Sequence, residues 1–287
     1  MIKNSLRDLE VNADRFIGIY RGVIEDNSSD PLKAGRCKIR VWGLHTSSKR
    51  KGEYEGIPTS ELPWSEPVCG IFGGSVSGVG AWTVPVQGSH VFLFFENGDI
   101  MAPRYFATVP GQPTVASDPT GMVGFNDPNK EYPRTDRLNE PDMHRLSRGV
   151  ITETIIEYKN DNLTKNVATA LGGAWSEPAS TYGTVYPHNT TVVTHGGITL
   201  ELDSTPNKKR FHIYHPSNTY IEIDNDGNMV IKNAGKKYEI IKGNHNIYIE
   251  DNRNLTVDGD VKNLTKGKKD DQVVGNYKVV ATRIDLN

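Results

Sequence analysis

Cysteine is almost missing from this chain: Cys37 and Cys69 are the two thiols among 287 residues. Neither belongs to a CxxC pair or to a Cys/His cluster with zinc spacing, so neither a disulfide framework nor a structural zinc site is expected. Both thiols read as small buried apolar side chains. Long hydrophobic runs are missing too. No stretch approaches the ~18 apolar residues of a membrane-spanning helix, and the N-terminus MIKNSLRDLEVNADRF has no apolar core of signal-peptide length. A protein made and soluble in the cytoplasm is therefore expected. There is no excess of one charge, with 33 basic against 35 acidic residues, which argues against bulk attraction to DNA or an anionic membrane. GxSxG, HExxH and P-loop motifs are absent. Helix-favouring runs are scarce.

What the chain has is Thr, Val, Ile, Tyr, Asn, Asp and 28 glycines, a composition of strands and turns and hence of an all-β protein. The length suggests about two domains, and a hydrophobic content of 36% is low for one large globule.

The strongest pattern is a beat of eight. Gly227, Gly235, Gly243, Asp251, Gly259, Gly267 and Gly275 fall at strict eight-residue intervals. Asp is among the few residues that tolerate left-handed backbone, so it reads as a stand-in for glycine at a corner. Two residues before the last five of these sit Ile241, Ile249, Val257, Thr265 and Val273, a candidate inner core. With the glycine as position one, position five is also often apolar (Ile231, Ile247, Leu255, Val279). Positions five and seven share parity and point to one side of a strand. Position three is mixed and includes Lys237, His245, Arg253 and Lys269; cations facing inward there would need anions or water. A fixed short period marks a solenoid. One octad encloses too little core alone, whereas three chains winding about one axis would each supply a strand per layer and leave few open edges. At about 4.8 Å per stacked strand, seven octads would span on the order of 30–35 Å. A flexible linker does not hold β-branched residues in register, and a single-chain β-helix usually needs longer coils.

The N-terminal text differs. FIGIYRGVIED alternates and ends at the polar turn NSSDPLKAG. In RCKIRVWGLHT, Cys37, Ile39 and Val41 share one face and Arg36, Lys38 and Arg40 the other, which reads as a half-buried strand. A strand over Val91–Phe95, the turn Asn97-Gly98 and a returning strand from Ile100 form a hairpin. Four or five strands in this span suit a small closed barrel of the OB type. A basic stripe on such a barrel could bind single-stranded nucleic acid. However, the charge is balanced and no aromatic alternates with these basics, so a solvated or protein-docking face is the preferred reading.

Several phrases in order resemble one family: DPLKAGRCKIRVWGLH (Asp30–His45), GIPTSELPW (Gly56–Trp64), VPVQGSHVF (Val84–Phe92), GFNDPNKEYPR (Gly124–Arg134) and the run from Tyr186 to Gly227. With the VxG-like octad ends IKG, VDG, TKG and VVG, the chain resembles the central spike proteins of contractile phage tails, the family of the T-even tail-associated lysozymes. Type VI secretion spikes share the plan and are the alternative machine. A single-strand-binding OB protein with an oligomerisation tail is the alternative class.

The resemblance implies a homotrimer in the tail baseplate of a virion, made in the host cytoplasm. Its barrels would dock beneath a hub protein at the end of the tail tube, and its intertwined trimeric β-helix would carry a small conical tip protein and meet the host envelope only transiently. No nucleic-acid specificity and no cofactor are implied. The expected layout is an N-terminal arm (1–14), an OB-fold barrel (15–115), an irregular middle (116–187), strands leading into the needle (188–226) and the octad needle (227–287). Leu200, Leu202, Ile221 and Ile223 would begin the trimer core. The middle segment is too short for the family's lysozyme domain. Glu153, Glu157 and Asp161 are at helical spacing but read as a solvated face, so no catalysis is expected. His212 and His215 read as packing residues, with a trimeric metal site as the alternative. The C-terminus RIDLN lacks the His-x-His pair with which some spikes bind iron; Ile284 and Leu286 would leave an apolar end for docking a tip protein.

Overall fold

A computed structural model describes residues 16–51, 56–70, 80–110, 141–150, 154–170 and 172–285. Five strands come first: β1 (Tyr20–Asp26), β2 (Cys37–Val41), β3 (Trp64–Pro67), β4 (His90–Phe95) and β5 (Pro103–Val109). They close into a barrel in the order β1-β2-β3-β5-β4. Neighbours are antiparallel except β3 and β5, which run parallel. The β4–β5 hairpin turns where Asn97 and Gly98 both take positive φ, as the dipeptide demands. Ile24, Cys37, Ile39, Val41, Val91, Leu93, Phe95 and Tyr105 fill the interior. Gly22 permits the tightest strand approach, since a Cβ there would lie 2.6 Å from Ile39 Cγ2 and 2.8 Å from the Arg40 carbonyl oxygen.

The outer face of β2 departs from the half-buried strand expected. All five of its residues are buried. Arg40 is 1% exposed; its Nε donates to Glu25 Oε1 at 2.6 Å and its Nη groups donate to the Thr46 and Ile57 carbonyls. Lys38 Nζ donates to the Ser60 and Leu62 carbonyls and stands 4.8 Å from the centre of the Trp64 ring. Arg36 pairs with Asp30, whose carboxylate also accepts three backbone N–H bonds. The Arg36 guanidinium and these bonds hold the Asp30 carboxyl well below the usual carboxylate range. The physical reason for the correction is that a loop following β2 lies over the basic stripe and offers carbonyls to it. A charge can stay buried when every donor finds an acceptor.

Further along, α1 (Thr154–Asp161) precedes a two-residue hairpin, β6 (Val167–Ala168) with β7 (Ala174–Trp175). Glu157 and Asp161 are exposed on α1, and Glu153 lies outside the described residues. A second sheet then forms from β8 (Asn189–Val193), β9 (Thr199–Asp203), β10 (Arg210–His215), β11 (Thr219–Ile223) and β12 (Met229–Lys232). It is an antiparallel meander in the order β12-β11-β10-β9-β8. The contact pattern divides the chain into two units: Met1–Glu157 with Thr181–Gly235, and Tyr158–Ser180 with Lys236–Asn287.

Removing one partner of a buried ion pair leaves an uncompensated charge, at roughly 3–5 kcal/mol. Glu25→Ala strands Arg40 in this way. It is expected to lower the barrel's unfolding free energy by that amount, seen as a lower denaturant midpoint with an unchanged slope, when followed by the fluorescence of Trp42 and Trp64. A loss below about 1 kcal/mol would show that the pair is not the barrel's outer lock.

Candidate functional site

The second sheet wears its faces inverted. Paired across its strands lie Val192, Leu200, Ile213, Ile221 and Ile231, and beside them Thr190, Leu202, Phe211, Ile223 and Met229. Nine of these ten are apolar, yet none is buried. The opposite face carries Asn189, Thr199, Glu201, Asp203, Arg210, His212, Tyr214, Tyr220 and Glu222, and all nine are buried. The alternation of ITLELD and TYIEI thus places its charged residues inside the chain and its aliphatic residues outside.

A polar network makes that inversion tolerable. Arg210 bridges Glu201 and, at 2.7 Å, Glu222. Asn189 Nδ2 donates to Glu201 Oε1 at 2.6 Å and to the Leu146 carbonyl at 3.2 Å. A cover of backbone and side chain lies over the face: Tyr182 donates its hydroxyl to the same carbonyl at 2.8 Å, its ring lies 5.1 Å from the Arg210 guanidinium, and Ser147 Oγ meets Thr191 Oγ1 at 2.6 Å. His212 is fully buried, with Nδ1 3.4 Å from Glu201, while His215 is exposed on the other side and bonds Ser217. Burial drives the imidazole of His212 below its ordinary value, and the Arg210 charge adds to this; together they outweigh Glu201 and Glu222. Burial alone would raise the Glu201 carboxyl, but contacts with His212, Arg210 and Asn189 prevail and leave it lowered. Residues Glu201, Arg210, His212 and Glu222 were not singled out as a network by the sequence reading. Their signal was there in opposite charges of one parity on adjacent strands.

The octads show the same sidedness in a barer form. From 233 to 285 every residue is exposed. Among the described residues, 236–285 take part in no backbone–backbone hydrogen bond outside regular elements, and no strand or helix lies there. The backbone bends at 234–235, 242–243, 250–251, 258–259, 266–267, 274–275 and 282. Gly235, Gly243, Asp251, Gly259, Gly267 and Gly275 thus each sit at a bend, and Gly227 closes the turn before β12. Left-handed backbone, expected at these corners, occurs at Gly227 with φ 83° and at none of the others. Asp251 therefore needs no special tolerance to stand there.

Parity separates the two sides. Ile241, Ile249, Val257 and Val273, at position seven, are 45–49% exposed, whereas Tyr238, Ile240, Tyr248, Leu264, Val274 and Val280, at even positions, are 79–98% exposed. Thr265 shares the first side by parity and is exposed. Thr256, on the even side, donates its hydroxyl to the Ala168 carbonyl at 2.6 Å, so that side meets the chain's own hairpin segment. Ile284 is exposed; Leu286 lies outside the described residues.

A histidine whose pKa is lower folded than unfolded makes folding release a proton, so stability falls as pH drops through its unfolded value near 6.5. A lowered Glu201 adds a further loss as pH falls below its unfolded value near 4.5. The melting temperature is expected to hold above pH 7 and to decline in two stages on acidification. His212→Gln should shrink the upper stage, leaving the share of His45, whose imidazole burial also lowers, and should leave the lower stage in place. A single decline below pH 5 in both proteins would count against a neutral buried His212.

Residues 43–182 match the family described as the Gp5 N-terminal OB domain. The chain is 34% identical over 270 residues to Protein Gp5 of Vibrio phage KVP40, covering 84% of this chain and 63% of that protein. It is 39% identical over 136 residues to the pre-baseplate central spike protein Gp5 of Enterobacteria phage T4, covering 45% of this chain and 22% of that protein. The chain thus spans less than two thirds of the length of each of these relatives. The matched residues take in β3, β4 and β5 of the five-strand barrel, and identity to the KVP40 protein runs over most of the chain: the chain is a homologue of the phage Gp5 proteins.

Proposed function

We propose that this protein is a structural central spike of a contractile phage tail baseplate, in which three copies intertwine through the residues from 188 onward. The observation that carries the reading is the inverted sheet: nine apolar side chains face out across five strands while a charge network is buried behind them. Fully burying an Ile or Leu is worth about 1.5–3 kcal/mol, so completing the burial of a half-exposed one contributes on the order of 1 kcal/mol. Repeated over the sheet face and the position-seven residues of three chains, that gain favours assembly over an isolated chain.

In the assembled spike the octad bends are the corners, and Ile241, Ile249, Val257, Thr265 and Val273 are the inner core. Backbone groups that are unpaired in one chain bond to strands of the other two. No chain can then peel away without breaking ladders to both partners, which gives kinetic resistance to unfolding. The role is mechanical: the tube drives the spike forward, and the spike transmits the load to the host envelope. A hub protein above the barrels, and a small conical tip protein received at Ile284 and Leu286, complete the chain of force. The names of the two relatives favour a phage tail over a secretion machine. Nucleic-acid binding is disfavoured because Arg36, Lys38 and Arg40 are engaged within the barrel.

The full chain is expected to have three times the monomer mass in native mass measurement and to resist SDS at room temperature. Val257→Asp places three carboxylates near one axis and should abolish the trimer while leaving the barrel folded. A monodisperse monomer of the parent protein would remove the spike reading. The same preparation is expected to leave a peptidoglycan zymogram uncleared, and a clear band would add a catalytic role.

A further inference from the structure

An eight-residue repeat carries an ambiguity of alignment. If one copy slides by one octad, Ile241 meets Ile249, Ile249 meets Val257, Val257 meets Thr265 and Thr265 meets Val273, so β-branched side chains still face β-branched ones. The position-seven residues therefore hold copies together without telling them where to stop.

The same side of the chain carries a second set of residues that does discriminate. Positions three and five share parity with position seven. At these positions Lys237 Nζ lies 3.0 Å from Glu239, His245 lies 3.8 Å from the same carboxylate, and Lys269 Nζ lies 2.6 Å from Asp271. Their side chains are 49–67% exposed, against 70–86% for the even-side pairs Asp260–Lys262 and Lys268–Asp270. Lys237 holds the Glu239 carboxyl below its ordinary value. The octads beginning at Gly243, Asp251, Gly259 and Gly275 have no acid at positions three, five or seven. A slip of one octad therefore sets Glu239 against Ile247 and Asp271 against Val279 of a neighbouring copy, so that each charged pair, carried along within its own chain, faces apolar side chains in place of another copy's charges. Only a slip of four octads matches the pairs again, and it gives up most of the overlap.

We propose that the Lys237–Glu239 and Lys269–Asp271 pairs set the register in which three copies of this chain align, rather than the strength with which they hold. This rests on the three-chain reading given above. A buried polar residue that fixes alignment at some expense of stability is a known device in repetitive assemblies. Here the two pairs act as index marks on an otherwise uniform needle.

The test uses the full chain with Cys37→Ala and Cys69→Ala and one spin label at Lys262→Cys, an exposed even-side position. Pulsed electron resonance should give one label–label distance population in this parent. Replacing the marks together (Lys237→Ile, Glu239→Leu, Lys269→Val, Asp271→Val) should preserve the trimer mass and add a second distance population from slipped copies. The swapped variant Lys237→Glu, Glu239→Lys, Lys269→Asp, Asp271→Lys should return to a single population. A neutralised trimer with one population overturns the proposal, as does a swapped trimer that stays mixed. A neutralised protein that no longer trimerises assigns the pairs to strength and overturns it as well. A parent that is itself monomeric removes the three-chain reading beneath it, an outcome distinct from the others.

Discussion

A chain that runs extended and bends every eight residues has no interior of its own. Each bend turns the backbone too soon for its side chains to meet a second layer, so apolar residues of one parity stay half in water. Nothing within residues 233–285 relieves this, for every one of them is exposed. The sheet before them solves half of the problem, folding back on itself but sealing the wrong face. Its buried side is a network of Glu201, Arg210, His212 and Glu222, and its open side is apolar. In the proposed spike, other copies complete both segments.

The barrel obeys the opposite rule. Closure removes its edges, and its one strongly basic strand is neutralised from within by Glu25 and by loop carbonyls. Aromatic rings lie against three of its cations: Trp64 beneath Arg36 and Lys38, and Trp42 beneath Arg21.

Much of this was legible in the residues. Strict spacing of Gly235 through Gly275 marked the bends to within a residue, because a period survives where propensity is ambiguous. The hairpin around Asn97-Gly98 was legible because that dipeptide takes few conformations. The alternation in ITLELD was read as the start of an assembly core; in the single chain its leucines lie on the less buried face. The fate of Arg36, Lys38 and Arg40 was not legible. Period-two alternation shows that two faces differ, but it does not show that the 22 residues between β2 and β3 will cover the charged one. For the same reason Glu201, Arg210 and Glu222 were not joined into a network. Their pairing depends on register between three strands, and register is a property of the sheet rather than of any one segment. Asp251 was matched to glycine for the wrong cause, since its corner does not use left-handed backbone.

That last point bears on why the corners are glycine at all. Two local reasons ordinarily compel the residue: positive φ, or a neighbour too close for a Cβ. Gly235, Gly243, Gly259, Gly267 and Gly275 show neither, for their φ values lie outside the left-handed region and a Cβ built on each meets nothing within 4 Å. Glycine inside extended chain is otherwise unfavourable, since it gives up conformational entropy and packs nothing. Five such residues at one spacing thus answer to a demand that their own chain does not make. Close approach of backbone from another copy at every corner is such a demand. Its strict recurrence follows if that copy carries the same period, and Asp251 then marks the one layer where the approach leaves room for a side chain.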